Sequence, residues 1–203
     1  LYAKLVADAC REAPVFEERA KESFELLAPF YDKMHKRITR KAIKPRPVDY
    51  HPYDVGGGVE DVTSVDRLRQ DYEETGGIEV ARIDSEHPVL SPDENVRARV
   101  VHDYMSHISP KKPAGFSSPT VPGSIFQEIR AYNIHLKTLP PAAAPALFTE
   151  VMGQVCYYYV YEDFIEQKVA LLDGFDYLNP GIVYPETGYK NVGRRLVPIN
   201  QED

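Results

Sequence analysis

Cysteine is scarce in this chain: only Cys10 and Cys156 occur, far apart and each among apolar neighbours. Two isolated thiols exclude a disulfide framework and a cysteine-based zinc site, so buried free thiols are expected. Basic charge is also short. Against 31 acidic side chains stand 24 Lys and Arg, a net charge of −7. That balance argues against wholesale nucleic-acid binding, because neutralising phosphates needs a basic surface. No apolar run reaches membrane-span length, and no charged-then-apolar signal segment opens the chain. A cytoplasmic or virion-associated location with no membrane partner is expected. The chain begins at Leu1, so an upstream segment is expected too. A GGG run at 56–58 is followed by no Gly-Lys-Ser/Thr and preceded by no apolar strand, which excludes a phosphate loop.

What is present fits one folded domain, or one domain with an extension. The chain has 203 residues, of which 43% are hydrophobic and 27% charged. Tryptophan is absent and the 17 prolines cluster between periodic segments, so they punctuate the chain rather than disorder it. The fold class expected is mainly α. Three C-terminal helices form a bundle, joined by an N-terminal helical arm, long Pro-rich loops and at most a small β element. The arm covers 1–43 and a Pro/Gly-rich linker 44–60. A helical core domain covers 61–172, and a loop-rich extension covers 173–203.

The local signals behind this division are specific. Leu1, Leu5, Val6 and Ala9 recur at helical spacing before Pro14, and Phe16, Ala20, Phe24, Leu27, Phe30 and Tyr31 form a second stripe that Pro29 should kink. Asp61 to Thr75 predicts a short helix ended by Gly76-Gly77, and residues 78–83 alternate like a strand. Ser91-Pro92-Asp93-Glu94 combines an N-cap serine, a proline at the first helical position and a glutamate three residues after the cap. A helix to about Ile108 follows from it. Ser124 with Gln127 predicts a second capping box and a helix to about Leu139, and a long apolar helix is expected from Ala146 to Leu172.

Chemistry-bearing residues gather on these helices. At about 100° per residue, Asp103 and His107 project together while His102 points a quarter-turn away. Glu128, Tyr132 and His135 share a face of the next helix, and Glu150, Gln154, Tyr157 and Tyr161 share one on the third. Helices packed through their neighbouring apolar stripes would bring the polar sets together, as bundle proteins do when they build carboxylate–histidine metal sites. His102, Asp103, His107 and His135 are the expected metal ligands, and Glu128 and Glu150 the expected catalytic carboxylates. Imidazole with carboxylate suits zinc, manganese or iron. The competing expectation is local satisfaction, with Glu150 paired to Arg97, Arg99 or Arg130.

The stretch VVHDYMSH resembles the His-Asp doublet of the HD-type metal-dependent phosphohydrolases, which implies His102 and Asp103 as metal ligands. That pattern also requires a histidine upstream and an aspartate downstream. Asp163 and Asp173 stand downstream, but His51 and His87 lie in loops rather than on the expected helix. More of the chain, roughly 96–172, is similar to small helical proteins of phages and other viruses. The segments that carry the likeness are HDYMSH, FQEIRAYNIH and ALFTEVMGQVCYYYVYEDFIEQKVALL. This second resemblance implies a viral or mobile-element setting and transfers no catalytic role.

Two functions follow as expectations. One is a metal-dependent hydrolase with its His/Asp/Glu site between helices. The other is a non-enzymatic structural or interaction protein, such as a virion or assembly component, with a protein partner or self-association. The run Lys33, His35, Lys36, Arg37, Arg40, Lys41, Lys44, Arg46 is the only candidate for a phosphate or nucleic-acid contact. A solvated helix face is its simpler explanation.

Overall fold

The structure is a computed structural model and describes residues 1–53 and 64–199. Helices dominate it, with two small two-stranded sheets. Helix α1 (Tyr2–Glu12) stops where Pro14 forces Ala13 into the extended region, φ −62° and ψ 143°. Helices α2 (Lys21–Glu25) and α3 (Leu27–Thr39) follow. The break falls at Leu26, so Pro29 sits in the first turn of α3, where no intrahelical N–H is needed.

Residues 44–48, expected as the start of an irregular linker, instead form strand β1 (Lys44–Val48). It pairs in parallel with β2 (Gly77–Ala81), with α4 (Ser64–Thr75) as the crossover. Pro45 and Pro47 remove two backbone donors, but they alternate with Lys44 and Arg46 and so leave the paired edge intact. The GGG run lies outside the described residues. At the end of α4, Gly76 adopts φ +68° and its N–H bonds to the Tyr72 carbonyl, a left-handed cap that glycine tolerates best. Gly77 is there for space: a Cβ would sit 2.2 Å from the Lys44 carbonyl oxygen.

Helix α5 (Pro92–His102) begins on the expected capping box, with both the Ser91 and Glu94 hydrogen bonds formed. It runs on without a break into a π turn, Asp103–Ile108. The second predicted box does not form. Ser124 exchanges hydrogen bonds with Ser118, and Gln127 accepts from the Gly115 N–H instead. Helix α6 (Ile125–Leu136) still starts there.

Short helix α7 (Ala144–Leu147), a second π turn (Phe148–Gly153) and α8 (Gln154–Tyr161) replace the predicted helix to Leu172. Glu162 turns left-handed at φ +58°, and the chain beyond lies against residues 15–17 through backbone bonds between Val169 and both Val15 and Glu17. Lys168, 5% exposed, donates to the carbonyls of Arg11 and Ala13. It thus neutralises the negative end of α1. Tertiary pairing overrides a helical periodicity here.

Helix α1 packs along α8 and α3 along α5. Val6, Phe24 and Leu27 from the first forty residues share one core with Leu68, Val101, Tyr132, Phe148, Met152 and Leu172. The chain after 173 wraps over this body. Phe175 stacks on Phe148 at 5.6 Å, and a hairpin of β3 (Tyr189–Val192) and β4 (Arg195–Pro198) closes the described chain. Among the described residues no helix is long and apolar enough to cross a membrane.

Candidate metal centre

The π turn after α5 decides the geometry of the site. Its bonds span five residues, as in Ser109 N–H to Tyr104 carbonyl at 2.8 Å, so side chains five apart meet on one face. His102 therefore faces His107, correcting the quarter-turn separation expected from regular α-helical pitch. Their Nε2 atoms stand 3.2 Å apart. With a carboxylate oxygen of Asp103, the ligand atoms of this trio all lie within 4.8 Å of one another. Two nitrogens bound to one tetrahedral metal at about 2.0–2.1 Å would be separated by about 3.3 Å.

Neighbours orient these rings. His107 Nδ1–H donates to the Ala114 carbonyl at 3.1 Å, so its Nε2 is the acceptor that faces His102 Nε2. That is the arrangement by which an outer acceptor fixes a metal-binding imidazole. Phe116 meets the same ring edge-on at 4.5 Å. Arg69 holds the backbone around it, donating to the carbonyls of His107 and Ala114. The His102 ring lies parallel to that of His135, at 5.2 Å and 3°.

Burial sets the charge states. It lowers the pKa of His102 to about 4 and of His135 to about 3, and takes His107 well below its ordinary value. All three imidazoles are neutral, and so able to bind metal, at neutral pH. Burial raises Asp103 to about 7, a rise opposed by Arg99. Glu128 also rises to about 7 through burial, opposed by the Ser117 N–H and reinforced by Asp103.

The remaining predicted residues are placed as follows. Glu128 reaches from α6, 4% exposed, with Oε2 3.8 Å from His102 Nε2 and Oε1 accepting from Ser117 N–H. His135 is fully buried and its Nε2 meets Ser106 Oγ at 3.1 Å. Glu150 lies on the second π turn, where His87 Nε2–H donates to it at 3.1 Å. None of the anticipated arginines takes it. Arg97 pairs with Asp32, Arg99 with the carbonyls of 81, 83 and 84, and Arg130 with Gln127 and the Lys112 carbonyl.

His102, Asp103 and Glu150 share a cleft of about 660 Å³, whose other walls include Asn95, Arg99, Phe116, Gln154 and Gln167. Both π turns thus border one cavity, and such turns cluster at functional sites. His87, on a Pro-flanked loop and off the helix that the phosphohydrolase pattern requires, reaches Glu150 instead. Its Nδ1 accepts the backbone N–H groups of Val89 and Leu90, so the proton sits on Nε2, toward Glu150. No periodicity announces that residue. Ser106 and the Ala114 carbonyl were equally silent, since their role arises only once the loop folds back. No protein-family model matches the chain, and no curated protein or solved structure matches it either.

Proposed function

We propose that this chain is a metal-dependent hydrolase that holds a divalent cation, of the zinc, manganese or iron class, at the His102–Asp103–His107 group. The observation that carries this is the pair of neutral imidazoles aimed at each other across 3.2 Å beside a carboxylate at the wall of a cleft. A cation there lowers the pKa of bound water and polarises a substrate oxygen. Glu150, oriented by His87 and Gln154, is the carboxylate on the cleft that takes a proton from attacking water. Asp84, Glu86 and Glu166 add negative charge to the lining, while Arg99 is turned to backbone carbonyls. The cleft therefore suits a neutral or cationic ester or amide better than a multiply charged anion.

Zinc-loaded protein assayed with an activated carboxylic ester and with an activated phosphodiester tests the reading. Metal-dependent turnover that His102→Ala abolishes is expected. Absence of turnover with either substrate overturns it.

A second reading, a structural or interaction protein of a viral assembly, is favoured by exposed apolar side chains at the start of α6. Val121 is 52% exposed and Phe126 66%. Light scattering separates the two: a stable monomer whose Phe126→Ser variant behaves identically removes this alternative.

A further inference from the structure

Glu128 poses a problem that the trio alone does not solve. Its Oε2 is buried and has no hydrogen-bond partner among the described residues, although a buried polar atom is costly when left unsatisfied. Protonated, the carboxyl would find its nearest acceptor at His102 Nε2, 3.8 Å away and beyond hydrogen-bond distance. The carboxyl is not free to turn away, because Ser117 N–H holds Oε1 at 3.2 Å. Oε2 is thereby aimed toward His102 Nε2, 3.8 Å distant.

We propose that Glu128 is a direct ligand of the cation, joining His102 and His107 in a site for one zinc-class divalent metal, and that His135 is not a ligand. This rests on the metal-binding reading above and departs from the catalytic role that the sequence suggested for Glu128. A cation between the three groups would satisfy the orphaned oxygen and replace the hydrogen bond between the two facing nitrogens. His102 Nε2 stands 3.2 Å from His107 Nε2 and 3.8 Å from Glu128 Oε2, and Glu128, which lies outside the trio whose atoms all fall within 4.8 Å, must draw in toward His107 to share one metal with it.

His135 fails on geometry. A nitrogen lone pair lies in its ring plane, so two rings stacked in parallel at 5.2 Å aim at different points. Of the His135 nitrogens, Nε2 is engaged by Ser106, and Nδ1, buried without a hydrogen-bond partner among the described residues, lies in a ring plane parallel to that of His102. Its place is to hold the His102 ring in orientation. The donor set of two imidazoles with the carboxylates of Glu128 and Asp103 leaves a divalent ion neutralised in its buried surroundings. It selects zinc, iron or manganese over calcium and magnesium, which prefer oxygen ligands alone.

Zinc affinity, measured by competition with a chromophoric chelator, tests this in the full chain. Glu128→Gln keeps the shape and removes the anion. It is expected to weaken zinc on the order of a hundredfold, at or above the usual cost of losing an outer hydrogen-bond partner. His135→Phe keeps the stacked ring without its nitrogens and is expected to bind within about tenfold of the parent. Equal affinity in Glu128→Gln and parent overturns the proposal, as does loss of zinc in folded His135→Phe. X-ray absorption at the zinc edge of the parent protein needs no variant to fold. Two imidazoles with oxygen donors support the assignment, and three imidazoles overturn it. Parent protein that binds zinc in this way but hydrolyses nothing ends the proposed activity and leaves Glu128 a ligand. Parent protein that takes up no zinc ends both.

Discussion

His102 and His107 stand one π turn apart with their Nε2 atoms 3.2 Å from each other, closer than a regular α-helix would place residues five apart. The contact makes the pair a single chemical unit, and its occupancy should be visible as stability. Zinc at a hundredfold over its dissociation constant should stabilise the fold by about 2.7 kcal/mol. For a chain of this length that raises the melting temperature by roughly 5–10 °C. Differential scanning calorimetry with and without zinc measures it. His107→Ala should abolish the shift, and a shift that survives in that variant would refute the assignment.

Metal affinity should climb with pH through neutrality. Asp103 and Glu128 hold their protons up to about pH 7, well above the ordinary carboxylate range, because burial disfavours the charged form. A cation must displace those protons below pH 7 and need not above it. The histidines add nothing over this window, since His102 already loses its proton near pH 4. Zinc affinity should therefore rise about tenfold or more per unit from pH 5.5 to 7 and flatten by pH 8. Chelator competition across that range reads it directly, and a flat profile contradicts the burial of these carboxyls.

Glu150 and the metal group should separate by kinetics. Glu150→Gln removes the proposed base but no proposed ligand, so turnover should fall roughly 10²–10⁴-fold with zinc affinity unchanged. His87→Ala should cost less, because it frees Glu150 to turn without neutralising it. Steady-state rates beside zinc titrations distinguish these outcomes from simple unfolding.

Gly77→Ala should damage the sheet that stands behind the cleft. The added carbon would lie 2.2 Å from the Lys44 carbonyl oxygen and 2.8 Å from Arg46 Nη1, so β1 must shift. A loss of roughly 2–4 kcal/mol is expected, in the range of other strained substitutions. Urea unfolding measures it.

Much of this was readable from the chain, for identifiable reasons. Ser91-Pro92-Asp93-Glu94 is a purely local signal, and the helix starts where it says. RVVHDYMSHI was conspicuous because it carries two histidines and an aspartate within six positions. The facing of His102 was not readable, because a π turn leaves no mark in hydrophobic periodicity. Strand β1 hid behind Pro45 and Pro47, which look like loop until the unpaired edge is known. The end of α8 at Tyr161 hid for the opposite reason. EDFIEQKVALL keeps a helical rhythm, yet Val169 and Lys168 find better partners on α1 and the segment after it.

The two π turns have a consequence for how such a protein can vary. Each amounts to one surplus residue accommodated inside an otherwise regular helix, so its local effect is to re-aim a handful of side chains while the apolar stripes on either side stay seated. Excising a single residue from either turn would restore ordinary pitch and part the side chains that now face each other, with little loss of shape. Gain or loss of the proposed centre would then be a matter of one codon's length.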